Sequence, residues 1–140
     1  MTALDELTEG QELPELARVV TAADVKAYAD AGGDQNPLHQ DDAFARSVGF
    51  DGIIAHGMFT MGHMAAAIAA WAGSAAVRSV SAQFRAPVFM GEEIVAGGRV
   101  VSVVGGTATL HTWVRVERDG KTEWPIRRGE VTVALVDDVD

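Results

Sequence analysis

The sequence predicts an α+β domain in which an antiparallel sheet curls around one long, apolar central helix. The helix is indicated by the apolar run at 53–72, IIAHGMFTMGHMAAAIAAWA, and the sheet by the β-branched, alternating runs that follow it. Hydrophobic residues make up 48% of the 140-residue chain, which suffices for one core that buries about 68–70% of the unfolded surface. We therefore expect residues 1–140 to form a single domain.

The charge balance and the lack of cysteine exclude several classes of protein. The 20 acidic and 11 basic residues give a net charge of -9, which repels phosphate backbones and argues against nucleic-acid binding. With no cysteine in the chain, disulfides, thiolate nucleophiles and cysteine-based zinc sites are excluded. Acidic residues, Asp5 and Glu6 among them, precede the first basic residue, unlike in a signal peptide, so a cytoplasmic location is expected.

The first third of the chain predicts a strand and two helices. An imperfect apolar pattern at 13–20 indicates a short strand that enters the domain. Thr21, with an acidic residue three positions later, is a typical helix N-cap, and Gly32-Gly33 ends that helix. After a loop, Asp41-Asp42 caps a second, short helix at 43–48.

The apolar run is long enough to be weighed against a membrane span. It contains His56 and His63 together with two glycines, it is mostly alanine and methionine, and it lacks basic flanks. These features favour a buried central helix over a transmembrane one. Alanine also lets other elements approach a helix closely, so a sheet can wrap around it.

Four strands are predicted after this helix. They are the β-branched, alternating runs at 77–84, 93–104, 107–117 and 124–136. Gly105-Gly106 and Asp119-Gly120 separate the last three runs and predict hairpin turns. Pro87 lies in the break between the first run and the second.

A carboxylate and an imidazole five positions apart, Asp34 and His39, occupy the loop between the first two helices. Pro37 prevents regular helix there, and Gly32-Gly33 disfavours regular strand, so an ordered loop presents the pair. Asn36 can bond the loop backbone and fix the direction of the carboxylate. By itself the segment fits a plain turn with a capping aspartate better than an acid/base site.

The wider segment at 28–45, YADAGGDQNPLHQDDAFA, resembles the signature of the MaoC-like (R)-specific enoyl-thioester hydratases, a lyase branch of the hotdog superfamily. The matching positions are Tyr28, Gly32, Gly33, Asp34, Asn36, Pro37, Leu38, His39 and Ala45. Ala31, where a larger aliphatic residue is more usual, departs from it. The sequence AHGM followed by Thr60-Met61-Gly62 resembles the catalytic subunit of actinobacterial fatty-acid-synthesis dehydratases.

This resemblance implies a hotdog fold and the reversible hydration of trans-2-enoyl thioesters to (R)-3-hydroxyacyl thioesters. The acyl group would be linked to CoA or to an acyl carrier protein, and no cofactor is implied. Asp34 and His39 would be the acid/base pair, supported by Asn36 and Pro37. Which member of the pair is the base stays open, because the two can titrate as a unit.

Gly57 stands where the long helix begins, so its N–H lacks an intrahelical acceptor and lies at the positive end of the helix dipole. The resemblance implies that this N–H binds the thioester oxygen. The alternative is that Gly57 only permits close packing. His56, His63 and His111 are interpreted as structural, since their spacing is not that of metal ligands, and no metal site is expected.

The segment Phe84-Arg85-Ala86-Pro87-Val88 resembles a strand end of the family. Arg85 is a candidate contact for a phosphate of the thioester carrier, and a surface salt bridge is its alternative role. The resemblance further implies a homodimer, or a heterodimer with a related subunit. A hotdog thioesterase and a subunit of a heterodimeric dehydratase are the competing functions.

Overall fold

The computed structural model describes residues 7–134 as a five-stranded antiparallel sheet with three α-helices. The helices are α1 (Ala22–Gly32), α2 (Asp42–Ser47) and α3 (Gly57–Ala72), and the strands are β1 (Leu16–Val19), β2 (Val77–Ser81), β3 (Glu93–Val104), β4 (Thr107–Arg118) and β5 (Lys121–Ala134). Short 3-10 turns occur at Pro37–His39 and Ser74–Ala76. The strand order is β1-β3-β4-β5-β2, so β2 lies beside the last strand rather than beside β3.

The predicted glycine turns form the two hairpins of the sheet. Gly105 and Gly106 adopt φ of 59° and 78° between β3 and β4, and Asp119 and Gly120 adopt φ of 54° and 75° between β4 and β5. Two consecutive residues with positive φ match the right-handed twist of the flanking strands, which favours a tight hairpin. The three longest strands therefore follow one another directly in the sheet.

The central helix packs on the sheet through side chains that are fully buried. Met64 and Ile68 of α3 face a core that includes Leu110 and Ile126 of the sheet. The Sδ atom of Met64 lies so near Gly129 of β5 that a Cβ atom there would be 2.9 Å from it. A glycine in the strand thus allows the close approach of helix and sheet that the small residues of α3 predicted.

Most predicted boundaries agree with the structure, and the differences occur where the chain leaves the sheet or the helix. The apolar run begins at Ile53, but α3 begins only at Gly57, because 53–56 is extended and its Ala55 N–H donates to Val88 O at 2.8 Å. The strand predicted at 77–84 pairs regularly only to Ser81. The last two residues of the strand predicted at 124–136 lie outside the described residues.

Within residues 7–134, no helix is long and apolar enough to cross a lipid bilayer. The central helix has 16 residues, Gly57–Ala72.

Candidate active site

The loop that carries Asp34 is held by hydrogen bonds within itself. Helix α1 ends at Gly33, which has φ of 79° and donates its N–H to Ala29 O at 2.9 Å. The N–H of Asn36 donates to Asp34 Oδ1 at 3.2 Å, and Asn36 Oδ1 accepts from the Leu38 N–H at 3.0 Å. Pro37 then begins the 3-10 turn that contains His39. These local bonds fix the direction of the Asp34 carboxylate before any distant contact is made.

His39 is oriented by the segment that precedes α3. Its Nδ1 lies 2.7 Å from the Ile54 carbonyl oxygen, and the Ile54 N–H donates to Leu38 O at 3.1 Å. A carbonyl oxygen only accepts hydrogen bonds, so Nδ1 carries the ring proton in neutral His39. The lone pair of the neutral ring is therefore on Nε2, which is available for proton transfer.

His56 lies at the buried side of the site, with 2% of its surface exposed. Its Nε2–H donates to the Asp34 carbonyl oxygen at 3.0 Å. Its ring stacks on that of His39, with ring centroids 3.8 Å apart and an interplanar angle of 25°. The Tyr28 ring is tilted by 49° to the His56 ring, and their centroids are 4.8 Å apart. His56 thus holds the backbone of one member of the pair and supports the ring of the other.

The three polar residues of this cluster come close enough to raise the question of a metal ion. One oxygen of Asp34 and one ring nitrogen each of His39 and His56 lie within 4.8 Å of one another. The two rings are stacked, however, and Nδ1 of His39 and Nε2 of His56 already bond backbone carbonyl oxygens, so each ring has only one nitrogen left to offer as a ligand. These hydrogen bonds already account for the orientation of both rings without an ion.

A cleft of about 380 Å³ joins this cluster to the beginning of α3. Its lining residues are Tyr28, Gly32, Asp34, His56, Gly57, Met58 and Phe84. Gly57 is the first residue of α3, and within the described chain no side chain caps the start of this helix. Its N–H is one of the groups that an α-helix leaves without an intrahelical acceptor, and the helix dipole favours negative charge there.

Phe84 packs directly on Gly57. A Cβ atom at position 57 would lie 3.0 Å from two carbons of the Phe84 ring, closer than normal contact. The missing side chain of Gly57 thus makes room for Phe84, and this packing does not conflict with a role for its N–H. Phe84 and Met58, which are 49% and 55% exposed, form an apolar rim around the cleft.

The other two histidines lie away from the cleft, and both are bonded to backbone carbonyls. His63 is buried on α3 with its Nε2 at 2.9 Å from Leu16 O, and burial lowers its pKa below the usual value. His111 on β4 has its Nε2 at 3.2 Å from Arg127 O. Their interpretation as structural residues is consistent with these contacts.

Arg85 lies outside the catalytic cleft, in a neighbouring groove of about 480 Å³. Its Nη2 donates to Gln83 Oε1 at 3.2 Å, and its backbone N–H donates to Pro125 O at 2.8 Å. Among residues 7–134 it forms no ion pair with a carboxylate, so the salt bridge considered as its alternative role does not occur in that part of the chain.

The structure brings Asp34 close to His39 and places Asp34 and Gly57 in the lining of one cleft, which His39 itself does not line. It also adds residues that the sequence did not identify. His56 was interpreted as structural only, although it stands next to Gly57 in the same motif. Phe84 belongs to a segment that was considered only for its arginine. The missing information is spatial, because His56 and Asp34 are 22 positions apart in the chain.

The family model described as the MaoC-like domain matches residues 6–123. The chain belongs to this family. Its similarity to the (R)-specific enoyl-CoA hydratase of Rhodospirillum rubrum is 30% identity over 102 residues, which covers 71% of this chain and 70% of that protein. The membership confirms the resemblance that the signature at 28–45 predicted.

A second relative and a solved structure extend the comparison. The chain is 41% identical over 78 residues to the mitochondrial 3-hydroxyacyl-(acyl-carrier-protein) dehydratase of Arabidopsis thaliana, and spans about half of its length, with 56% of this chain and 47% of that protein covered. The (R)-hydratase from A. caviae involved in PHA biosynthesis superimposes with a TM-score of 0.81 at 29% identity, covering 94% of this chain and 99% of that one. The hotdog fold is thereby confirmed.

Replacing His56 with glutamine is expected to loosen the 34–39 loop, because glutamine cannot both stack on His39 and reach the Asp34 carbonyl. Hydrogen exchange at the amides of Leu38 and His39 should become faster. Catalytic turnover should fall by about 10²-fold, because Asp34 and His39 are then misplaced relative to each other.

The matched control is His63→Gln, which removes a buried histidine ring of α3 that, like His56, bonds a backbone carbonyl. It should lower the melting temperature without a selective loss of turnover. Equal losses of turnover in the two variants, measured well below both melting temperatures, would assign the effect to the stability of α3 instead.

Proposed function

We propose that this chain is a hydro-lyase that interconverts trans-2-enoyl thioesters and (R)-3-hydroxyacyl thioesters, linked to CoA or to an acyl carrier protein. The observation that carries the proposal is that Asp34 lines one cleft with the uncapped N-terminus of α3, while a ring nitrogen of His39 lies within 4.8 Å of the Asp34 carboxylate. The names of the relatives, hydratase and dehydratase, agree with this chemistry. No step of it calls for a cofactor.

Asp34 and His39 activate the attacking water in this proposal. The neutral His39 ring presents a lone pair on Nε2, since Nδ1–H is bonded to Ile54 O. As the water oxygen bonds to the β-carbon, the pair takes one of the water's protons and returns one proton to the α-carbon, so its own protonation is unchanged after each turnover. Because the water oxygen and the proton reach the alkene from the same side, the addition is syn.

The N–H of Gly57, the first residue of α3, stabilises the negative charge that this attack creates. Addition at the β-carbon moves negative charge onto the thioester oxygen, which preorganised donors stabilise more than water does. The Gly57 N–H has this character, because it is fixed in the helix, it has no intrahelical acceptor and its residue lines the cleft. The Phe84 ring beside it excludes water from one side of that oxygen.

A hotdog thioesterase is the main competing function, because it would use the same fold and the same helix N-terminus. It differs in the bond that breaks, which is the thioester C–S bond rather than the β-carbon–oxygen bond. The polar atoms of Asp34 and His39 lie within 4.8 Å of each other, so both can contact one water molecule, which favours hydration of the alkene.

Asp34→Asn and His39→Gln should each lower turnover of crotonyl-CoA by about 10²–10⁴-fold, the contribution of general acid–base catalysis. Alkene hydration is measured as the loss of enoyl absorbance, and thiol release is measured in the same samples. The control is Glu15→Gln, an exposed carboxylate that pairs with Arg115 outside the cleft and should leave turnover unchanged. Thiol release without hydration in the wild type would favour the thioesterase.

A double-mutant cycle separates the two roles of Gly57. Gly57→Ala should lower turnover by up to about 10²–10³-fold, the loss that removal of one oxyanion donor causes. If the glycine only makes room for Phe84, then Gly57→Ala combined with Phe84→Ala should regain the turnover of Phe84→Ala alone. We expect no such recovery, because the added methyl group still blocks approach of the thioester oxygen to the N–H.

Assembly into a homodimer, or into a heterodimer with a related subunit, completes the proposed enzyme. In one chain the cleft opens past the exposed side chains of Met58 and Phe84, so an acyl chain there would remain in contact with water. A second subunit over this rim would cover both. Light scattering at micromolar concentration should give about twice the 14.8 kDa of one chain, and a fully active monomer would contradict the proposal.

A further inference from the structure

A second groove lies beside the proposed catalytic cleft, and two consecutive residues of the chain line one each. Phe84 lines the cleft and forms an isolated β-bridge with Ile126, while the next residue, Arg85, bonds Pro125 through its N–H. The residues that line this groove are Arg85, Ala86, Glu123, Trp124, Arg127 and Arg128. The same segment of β5 therefore anchors the rim of the cleft and forms the floor of the groove.

An irregularity in β5 gives the groove its concentration of arginine. The pairing with β4 shifts register between Thr112, opposite Gly129, and Val114, opposite Ile126, so the strand carries an extra residue there. Consecutive residues of a regular strand point to opposite faces, and a bulge redirects one of them. Arg127 and Arg128 accordingly line the same groove, and both are exposed.

The charge of the groove is opposite to that of the protein. Three arginines and one glutamate line it, in a chain with a net charge of -9. The glutamate, Glu123, also acts on Arg118, whose pKa is raised mainly by its hydrogen bond to Glu92 and to a smaller extent by Glu123. Within residues 7–134 none of the three groove arginines forms an ion pair, whereas Arg115 and Arg118 each do.

Trp124 adds an aromatic surface to these guanidinium groups. The Arg127 guanidinium carbon lies 5.7 Å from the centroid of the Trp124 ring. Guanidinium groups bind phosphate oxygens in pairs, and an aromatic ring offers a stacking surface for a purine. A concave site of this size, about 480 Å³, falls in the usual range for a bound small molecule.

We infer that the groove binds the 3′-phosphorylated ADP end of coenzyme A, so that this chain takes its acyl group from CoA. The inference rests on the proposed function for the identity of the thioester, and adds the recognition of its carrier. Arg127 and Arg128 neutralise phosphates, Arg85 binds the phosphate next to the pantetheine arm, and Trp124 contacts the adenine. The arm then runs past Phe84 into the cleft.

The test compares two substrates that differ only in the nucleotide. In Arg127→Gln/Arg128→Gln, kcat/KM for crotonyl-CoA should fall by at least about tenfold, mainly through KM, since hydrogen bonds to charged groups contribute that much. For crotonyl-pantetheine, which lacks the nucleotide, kcat/KM should not change. The control is Arg99→Gln/Lys121→Gln, which removes two positive charges outside the groove and should affect neither substrate.

Binding measured without turnover keeps the inference independent of the proposed activity. Calorimetry should show that wild type binds free CoA more tightly than dephospho-CoA, and that the groove variant loses this difference. If wild type hydrates neither substrate, the proposed function fails, and the calorimetry still decides the inference. Two results in the groove variant would overturn the inference. One is an equal loss of kcat/KM for crotonyl-CoA and crotonyl-pantetheine. The other is a loss seen only for a third substrate, crotonyl-acyl carrier protein.

Discussion

The arrangement of the site depends on one hydrogen bond, from the buried His56 ring to the carbonyl oxygen of Asp34. It joins the residue that precedes α3 to a loop 22 positions earlier, and the His56 ring carries the stacked ring of His39 at the same time. Asp34 itself is exposed in the single chain, so its own side chain has little packing to hold it. Without His56, the loop would keep its internal bonds and the contacts of Leu38 and His39 with Ile54, but the Asp34 carbonyl would lose its long-range bond.

This hydrogen bond is useful only because α3 is firmly placed. Met64 packs against Gly129 of β5, and His63 bonds the Leu16 carbonyl of β1, so the helix is attached to strands in the interior and at the edge of the sheet. A rigid helix also keeps the N–H of Gly57 in one direction. The same element therefore positions the acid/base pair and the donor for the thioester oxygen.

The segment that connects β2 and β3 links the two grooves of the surface. Arg118 fastens it by bonding Glu92 at 2.7 Å and the Pro87 carbonyl oxygen at 2.9 Å. Burial raises the pKa of Glu92, but hydrogen bonds from Arg118 and the Phe89 N–H outweigh that effect, so its pKa is lowered and it stays ionised. Phe84 and Arg85, near the start of this segment, face different grooves.

The sequence by itself determined the features that depend on neighbours in the chain. The N-cap at Thr21, the Asp119-Gly120 turn and the limits of β3 follow from side-chain bonds, positive φ and alternation over a few residues. The signature at 28–45 determined the family. Only the tertiary structure decided the place of β2 beside β5, the contact of His56 with Asp34, and the cluster of arginines on a bulge. Those features join residues far apart in sequence, and no local pattern of residues encodes which distant partner a side chain meets.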